Sequence, residues 1–187
     1  MSIFSAVFVG ISAGSLISMR MALTYPARVD GIVALSSISR AAPKAVIDAF
    51  AQVYKAWTST PVPSEEIMNL AICGWGGDLD VNSDRCKIIK QDWQTRYNGE
   101  KNVEAIADCV NTRDDVTDKL KEIECPVLLI QGEKDITWTV EEAETTKKGL
   151  LNAELKVIQG EGHMLIFARK ADDINGMIES FLRKQGY

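Results

Sequence analysis

Three residues in this sequence could together perform nucleophilic catalysis. Ser12 lies at the centre of GISAG, a Gly-x-Ser-x-Gly stretch, Asp135 lies in QGEKDITW, and His163, the only histidine, lies in QGEGHM. A serine hydroxyl is a poor nucleophile until a base takes its proton, and a carboxylate can hold an imidazole base in the required tautomer. The three side chains therefore predict attack by Ser12 on a carbonyl carbon. The alternatives are a mere tight turn at Ser12 and a structural role for His163.

Each of the three residues follows a short apolar stretch that is predicted to be a buried strand. AVFV ends just before Gly10, PVLLIQG precedes Asp135, and AELKVIQG precedes His163. Short aliphatic and β-branched runs bounded by glycine or proline are typical of buried strands. Because α/β proteins place their chemistry at the carboxyl ends of parallel strands, we expect the three side chains to converge at one edge of a sheet.

A further strand and its connecting helix complete the predicted sheet. VDGIVALSS has the pattern of a buried strand, and before it Leu16, Met19 and Leu23 recur at helical spacing until Pro26 ends the helix. A strand, a helix and a strand in so few residues predict a parallel crossover unit. The predicted fold class is α/β, with a parallel sheet of about four strands flanked by helices.

A helical segment is predicted to interrupt the sheet. From about residue 40 to 113 the sequence contains several helical stretches and no convincing strand, with turns such as GWGGD between them. We therefore predict three parts: residues 1–39 with the serine, an inserted helical cap over 40–113, and residues 114–187 with the aspartate and the histidine. The tryptophans of the cap are together expected to line an apolar substrate pocket, although taken singly each is more often a plain packing residue: Trp57, Trp75 and Trp93.

Other acidic residues have simpler explanations than catalysis. Five aspartates in or beside the helical segment are expected at the surface or at helix starts: Asp78, Asp80, Asp114, Asp115 and Asp118. Glu133 and Lys134, beside Asp135, are expected to be solvated loop charges. Asp135 differs from all of them because it directly follows a predicted parallel strand.

The composition argues against several function classes. The net charge is −5 and no basic block is present, which argues against nucleic acid and anionic membrane partners. The apolar runs are too short to span a bilayer, and the first residues lack the basic region of a signal peptide. The four cysteines are widely spaced and only one histidine is present, so no metal site is predicted. Reduced cysteines then indicate a cytoplasmic protein.

In combination, these motifs resemble the α/β-hydrolase superfamily. FVGISAGSLISMRMALTYPARVDGIVALSS is similar to its nucleophile elbow with the following helix and strand. DVTDKLKEIECPVLLIQGEKD is similar to the strand that delivers the acid, and AELKVIQGEGHMLIF to the strand and loop that deliver the histidine. The resemblance is to the C-terminal portion of the fold, and within the superfamily to small esterase and enol-lactonase-like members. It implies hydrolysis of a small-molecule carboxylic ester or lactone, without metal or organic cofactor.

Carried over by position, the resemblance makes Ser12 the nucleophile, Asp135 the acid and His163 the base. Three nearby residues are predicted to contact the substrate: Ile11, Trp138 and Met164. Thr139 stands where a proline often opens the next helix, and a threonine can cap that helix instead.

The turn around the serine has requirements of its own. A sharp strand-to-helix turn forces the serine into strained backbone angles, so we expect Gly10 and Gly14 to be needed for their lack of bulk. The same turn aims the Ala13 N–H at any oxyanion that forms on the substrate, and Ala13 is the predicted oxyanion donor.

The chain departs from the family pattern at its start. The family's elbow follows the fifth strand of an eight-stranded sheet, whereas here it begins at residue 10. We therefore expect the first four strands to be absent, together with the loop that supplies a second oxyanion N–H. AVFV would then be an apolar edge strand, which predicts self-association or aggregation through that edge, or a need for a separate N-terminal fragment.

Other functions stay open at the level of sequence. A truncated or non-catalytic hydrolase-like protein could bind a ligand or partner without turnover, and the sequence could belong to a longer hydrolase. Relatives of this fold also cleave carbon–carbon bonds with the same triad.

Overall fold

Four parallel strands form the sheet at the centre of the molecule. The computed structural model describes residues 3–96 and 100–187. The strands pair in the order of the chain: β1 (Ala6–Ile11), β2 (Val29–Leu35), β3 (Val127–Gly132) and β4 (Ala153–Ile158). Every pairing is parallel, so each connection must cross over and return to the same end of the sheet. The predicted α/β fold with a four-stranded parallel sheet is confirmed.

Helices make these connections. The described residues form α1 (Ala13–Thr24), α2 (Lys44–Thr58), α3 (Glu65–Trp75), α4 (Asp84–Arg96), α5 (Glu100–Asn111), α6 (Val140–Gly149) and α7 (Ala171–Lys184). Short 3-10 turns lie at Pro26–Arg28, Thr117–Glu122 and Leu165–Phe167. None of the helices in these described ranges is both long and apolar enough to cross a membrane.

Both faces of the central strands are buried. Successive residues of a strand point to opposite faces, so Ile32 and Leu129 join the core cluster that includes α1. Val33 and Ile130 join the cluster on the other face, which includes residues of α7. A strand covered on both faces has a continuous apolar sequence, which explains the runs that predict β2 and β3.

Four helices lie between β2 and β3. Helices α2 to α5 all fall within residues 40–113, and no strand occurs in the described part of that segment. Aromatic side chains join them: Trp57 meets Trp93 edge-on with 4.9 Å between ring centroids, and Phe50 stacks on Trp75 at 5.4 Å. These helices have the position and composition predicted for the cap, and the division into three domains stays a prediction.

The two edge strands of the sheet differ in charge. On β1, Val9 is 54% exposed, and the strand carries no charged residue over Ala6–Ile11. On β4 the exposed positions include Glu154 and Lys156, and Lys184 of α7 donates a hydrogen bond to Glu154 at 2.9 Å. Charged side chains on an edge discourage pairing with another chain. The β4 edge is protected in this way and the β1 edge is not.

The connection from β1 to α1 is a sharp turn centred on Ser12. Ser12 has φ 51° and ψ −117°, backbone angles that a residue with a side chain seldom adopts. A Cβ at Gly10 would collide with the carbonyl group of Gly14, so only glycine fits at position 10. A Cβ at Gly14 would meet nothing within 4 Å. The predicted need for small residues is therefore right for Gly10 and wrong for Gly14, which faces open space.

We expect Gly10→Ala to destabilise the protein, because its methyl group must displace the Gly14 carbonyl. Overpacking of this kind costs about 1–3 kcal/mol, occasionally more. Gly14→Ala is the matched control, since it adds the same methyl group to open space in a helix. Urea unfolding gives the free energy of unfolding of each variant. Equal losses in the two variants would contradict the proposed collision.

Candidate active site

Backbone hydrogen bonds hold Ser12 at the carboxyl end of β1. Its N–H donates to the Leu35 carbonyl at the end of β2, at 2.9 Å. Its own carbonyl accepts from both the N–H and the hydroxyl of Ser15 in α1. These contacts maintain the positive φ of Ser12. A backbone conformation of this kind costs about 1–3 kcal/mol and persists only where surrounding contacts hold it. Strained residues that their surroundings hold in place are concentrated at functional sites, so the backbone of Ser12 supports its candidacy.

The Ala13 N–H lies beside Ser12 at the N-terminus of α1. No acceptor among the described residues takes up this N–H. The first N–H groups of a helix carry the positive end of its dipole. The group is therefore free to stabilise negative charge that develops beside Ser12, which is the role predicted for it.

The Asp135 carboxylate is buried among hydrogen-bond donors in the acid loop (residues 133–138). Asp135 as a whole is 4% exposed. Oδ1 accepts from the N–H groups of Thr137 at 2.8 Å and Trp138 at 2.9 Å. Oδ2 accepts from Gln131 Nε2 and contacts His163 Nδ1, each at 2.8 Å. Because a carboxylate can only accept hydrogen bonds, four donors satisfy it away from water.

His163 lies in the histidine loop (residues 160–164), which follows β4. Its Nδ1 is 2.8 Å from Asp135 Oδ2, and its side chain is 14% exposed. Since Asp135 offers only acceptors, Nδ1 carries the proton and Nε2 keeps its lone pair in the neutral ring. That tautomer is the one a general base requires. The loop backbone is held too, because the His163 carbonyl accepts from Ser36 Oγ at 2.8 Å.

The last residue of β2 and the residue after it connect Ser12 to His163. Leu35 accepts from the Ser12 N–H, and the next residue, Ser36, donates to the His163 carbonyl. The three predicted catalytic residues thus follow β1, β3 and β4 at the same edge of the sheet. Asp135 and His163 are in contact, whereas no hydrogen bond among the described residues joins the Ser12 hydroxyl to the His163 ring. Such catalytic hydrogen bonds often shorten only when substrate binds.

Two residues outside the predicted set support this arrangement. Gln131, which is 1% exposed, donates to the Asp135 carboxylate and to the Trp138 carbonyl at 2.7 Å. The signal that could have identified it is a polar residue in the otherwise apolar run PVLLIQG. Ser36 has φ 46° just after β2. Nothing in the sequence distinguishes it from the neighbouring serines, so only its tertiary contact reveals it.

The three predicted substrate contacts differ in exposure. Ile11 is half-buried at the end of β1, and Met164 is half-buried and lines a cavity of the cap. Trp138 is 1% exposed, with the guanidinium carbon of Arg113 4.4 Å from its ring centroid. A buried indole has no surface to offer a substrate, so the prediction for Trp138 is wrong and its role is packing. Those for Ile11 and Met164 stay predictions.

Two apolar cavities lie among the cap helices. The smaller one, about 370 Å³, is lined by all three tryptophans of the cap, Trp57, Trp75 and Trp93. This tryptophan cavity reaches the histidine loop at Met164. The larger cavity, about 520 Å³, lies between α2 and α3 and reaches the acid loop at Ile136. The tryptophans thus line one apolar cavity, as the sequence predicts, and its use by a substrate stays a prediction.

Two half-buried ionisable groups in this part of the molecule have shifted pKa values, a phenol and a guanidinium. Tyr54 lines the tryptophan cavity, and burial raises the pKa of its hydroxyl to about 12. Burial lowers the pKa of Arg113, which still carries its charge over the face of Trp138 at neutral pH. Within the residues that the structure describes, no group of three His, Cys, Asp or Glu side chains is placed to hold a metal ion.

We expect Ser36→Ala to lower the free energy of unfolding by about 0.5–1.5 kcal/mol, because it removes the hydrogen bond to the His163 carbonyl. Ser37→Ala is the matched control. Ser37 is also buried, but its hydroxyl has no partner in the described residues. Its removal should leave the stability unchanged or raise it. Denaturant unfolding measures both effects, and an equal loss in Ser37→Ala would contradict the prediction.

Solved structures of α/β-hydrolases have the same fold as this chain. A thermophilic esterase from Thermogutta terrifontis is similar with a TM-score of 0.80 and 21% identity, over 97% of this chain and 65% of the esterase. MGS-M2, an α/β-hydrolase enzyme from a Medee basin deep-sea metagenome library, is similar with a TM-score of 0.81 and 20% identity, over 97% and 66%. The enol-lactonase from Burkholderia xenovorans LB400 is similar with a TM-score of 0.77 and 15% identity, over 97% of this chain and 66% of the enol-lactonase. The chain therefore spans just under two thirds of the length of these proteins.

A family model matches most of the sequence, whereas no curated protein matches it significantly. The model is the hydrolase family described as serine aminopeptidase, S33, and it matches residues 4–170. The matched range contains Ser12, Asp135 and His163 together with all four strands. With the match and the fold in agreement, the chain belongs to the serine aminopeptidase S33 family of α/β-hydrolases.

Proposed function

We propose that this chain carries the catalytic triad of a serine hydrolase that cleaves a carboxylic ester or a lactone. The supporting observation is the 2.8 Å hydrogen bond between His163 and the buried Asp135, at the sheet edge where Ser12 precedes α1. An oriented imidazole near a serine on a strained turn is suited to activate that hydroxyl for acyl transfer. Family membership and the likeness to an esterase and an enol-lactonase support the same reaction class.

Acylation of Ser12 is the first half of the proposed reaction. Nε2 of His163 takes the hydroxyl proton as Ser12 Oγ forms a bond to the substrate carbonyl carbon. The carbonyl π electrons move onto oxygen, and the Ala13 N–H donates to the resulting oxyanion. Asp135 stabilises the imidazolium through the Nδ1 proton. Collapse of the intermediate breaks the bond to the alkoxide, which takes the proton from Nε2.

Deacylation uses the same groups in the same order. His163 removes a proton from water as the water oxygen attacks the acyl carbonyl. When the second tetrahedral intermediate collapses, Ser12 leaves and regains its proton from His163. An ester yields an acid and an alcohol. A lactone yields a single hydroxy acid, because its alcohol stays attached to the acyl group.

The tryptophan cavity is the proposed site for the apolar part of the substrate. Its volume of about 370 Å³ is adequate for a small molecule, and aromatic and aliphatic side chains form most of its lining. Met164 connects it to the loop that carries His163. We therefore propose a small, largely apolar ester or lactone as substrate.

The name of the family favours amide cleavage as a second candidate reaction. The same triad can transfer an acyl group from nitrogen, provided that Nε2 delivers its proton to the leaving amine. A substrate panel of p-nitrophenyl esters, a lactone and an aminoacyl p-nitroanilide separates the candidates. Faster turnover of the anilide would favour the amidase, and ligand binding with no turnover of any substrate would favour a non-catalytic binding protein.

A fluorophosphonate probe tests the nucleophile without knowledge of the substrate. An activated serine attacks phosphorus and expels fluoride, so we expect the intact mass to increase by one adduct, mapped to Ser12. Ser12→Ala should lose the adduct. Ser18→Ala, in the helix that follows Ser12, is the matched control and should keep it. A wild-type chain that carries no adduct at Ser12 would contradict the proposal.

We expect Ser12→Ala and His163→Ala each to abolish most turnover of p-nitrophenyl acetate. The double variant should lose no more than either single variant, because residues that act as a unit lose about as much singly as together. Asp135→Asn should lower kcat by up to about 10⁴-fold, since it disturbs the tautomer of His163. Steady-state kinetics measures all four variants, and activity that survives in Ser12→Ala would indicate another mechanism or a contaminant.

Self-association through the uncharged edge of β1 is a separate part of the proposal. We expect the wild-type chain to sediment as larger species as its concentration rises. Val9→Lys should shift it toward monomer, because lysine on an edge strand discourages pairing. Ile88→Lys is the matched control, since Ile88 is 66% exposed on a cap helix far along the chain from β1. A wild-type chain that is monomeric at every concentration would show the prediction to be wrong.

A further inference from the structure

The histidine loop is held between the sheet and the cap. On the sheet side, a Cβ at Gly132, the last residue of β3, would collide with the loop carbonyl of Gly162. On the other side lie residues 75–78, where α3 ends, which we call the cap turn. A Cβ at Gly162 would collide with the backbone of the cap turn. The loop that carries His163 is therefore packed as closely against the cap as against the sheet.

Two backbone hydrogen bonds join the cap turn to the histidine loop. The Met164 N–H donates to the Trp75 carbonyl at 3.0 Å, and the Asp78 N–H donates to the Gly160 carbonyl at 2.9 Å. In the sequence these contacts lie on either side of His163. Backbone polar groups that leave water need such partners, so the path of the loop depends on the cap turn.

Gly77 is the point of closest approach. It has φ +65° and forms an isolated antiparallel bridge with Glu161. A Cβ there would lie 2.5 Å from the Gly162 nitrogen, and the backbone angle would be strained as well. Any side chain at this position must push the histidine loop away from the cap or distort the cap turn.

The Asp78 carboxylate ties the cap turn to its surroundings. It pairs with Lys134, the residue before Asp135, and lies 3.6 Å from Arg169, which also donates to the Gly160 carbonyl. The hydrogen bond from Lys134 lowers the pKa of Asp78, so the carboxylate is charged at neutral pH. Both charges are partly exposed, as predicted for surface residues, but they form a bridge between the cap and the acid loop.

We propose that the cap turn is a positioning element for His163, so that the helical cap and the sheet together set the place of the base. This inference rests on the proposed function, in which His163 is the base. The Asp135 bond orients the ring and the Ser36 bond holds the carbonyl of His163 itself, while the cap turn holds the residues before and after it. Misplacement of a catalytic group by about 1 Å can reduce the rate roughly a hundredfold.

Trp75 connects the positioning element to the cavities. Its carbonyl accepts from Met164, while its ring lines both apolar cavities and stacks on Phe50. A ligand in the tryptophan cavity would therefore contact Trp75, whose carbonyl holds Met164, the residue after His163. Substrate binding and placement of the base share this residue.

The single histidine makes the test direct, because every imidazole signal of the chain belongs to His163. In Gly77→Ala we expect the nuclear magnetic resonance signal of the His163 Nδ1 proton, which lies in the hydrogen bond to Asp135, to change its chemical shift. Alternatively, this proton should exchange faster with water. Fluorophosphonate labelling of Ser12 should slow by roughly a hundredfold. Gly186→Ala is the matched control, since Gly186 has φ +88° but a Cβ there would meet nothing within 4 Å. Its imidazole signals and labelling rate should equal those of the wild type.

Asp78→Ala applies the same test without a steric collision, and an exposed ion pair contributes little to the free energy of unfolding. Glu154→Ala is its matched control, because both side chains lie between two cations and are 44% and 47% exposed. We expect Asp78→Ala to shift the His163 signals and to lower kcat by about tenfold with KM nearly unchanged. Glu154→Ala should do neither. If Gly77→Ala fails to fold, the comparison of Asp78→Ala with Glu154→Ala tests the positioning role by itself.

The spectroscopic readout separates this proposal from the proposed function. A wild-type chain that is unlabelled at Ser12 contradicts the hydrolase, yet the His163 signals still report on the position of the ring. Signals that are unchanged in Asp78→Ala and in a folded Gly77→Ala overturn the positioning role, even when the wild type is active.

Discussion

The buried carboxylate of Asp135 is the constraint on which the geometry of the site depends. A carboxylate that leaves water is costly unless hydrogen-bond donors replace the water. Here the donors are two N–H groups of its own loop, the Gln131 amide and the His163 ring. Satisfying one side chain therefore determines the conformation of the acid loop, the use of a polar residue at the end of β3, and the orientation of the candidate base.

The close backbone packing around the histidine loop follows from this contact. For the ring to reach the carboxylate, the loop after β4 must lie directly against the end of β3, and Gly132 and Gly162 permit that approach. Its outer side is then covered by the cap turn, where Gly77 adopts the positive φ that the contact requires. The cap is thus joined to the sheet at the loop where a small displacement has the largest effect on the proposed chemistry.

Local patterns explain why so much of the fold is predictable. Apolar runs bounded by proline and glycine marked the strands, because a strand covered on both faces has no polar alternation. Gly10 and Ser12 marked the strand-to-helix turn, and Thr139 caps α6 in a capping box with Glu142, three residues further along the chain. Parallel strands bring their carboxyl ends to one edge, so the order of the motifs sufficed to predict contact between Asp135 and His163.

By itself, the sequence determined the strands, the helices and which chemical groups follow each strand, because periodicity, capping and turn preferences act over a few residues. Only the tertiary structure decided that Trp138 is buried, that Gly14 faces open space, and that Ser36 and the cap turn hold the histidine loop. These features depend on which backbone segments meet across long separations in the chain. Burial and hydrogen bonding at such contacts are set by packing in three dimensions. Residue type and local spacing do not determine that packing.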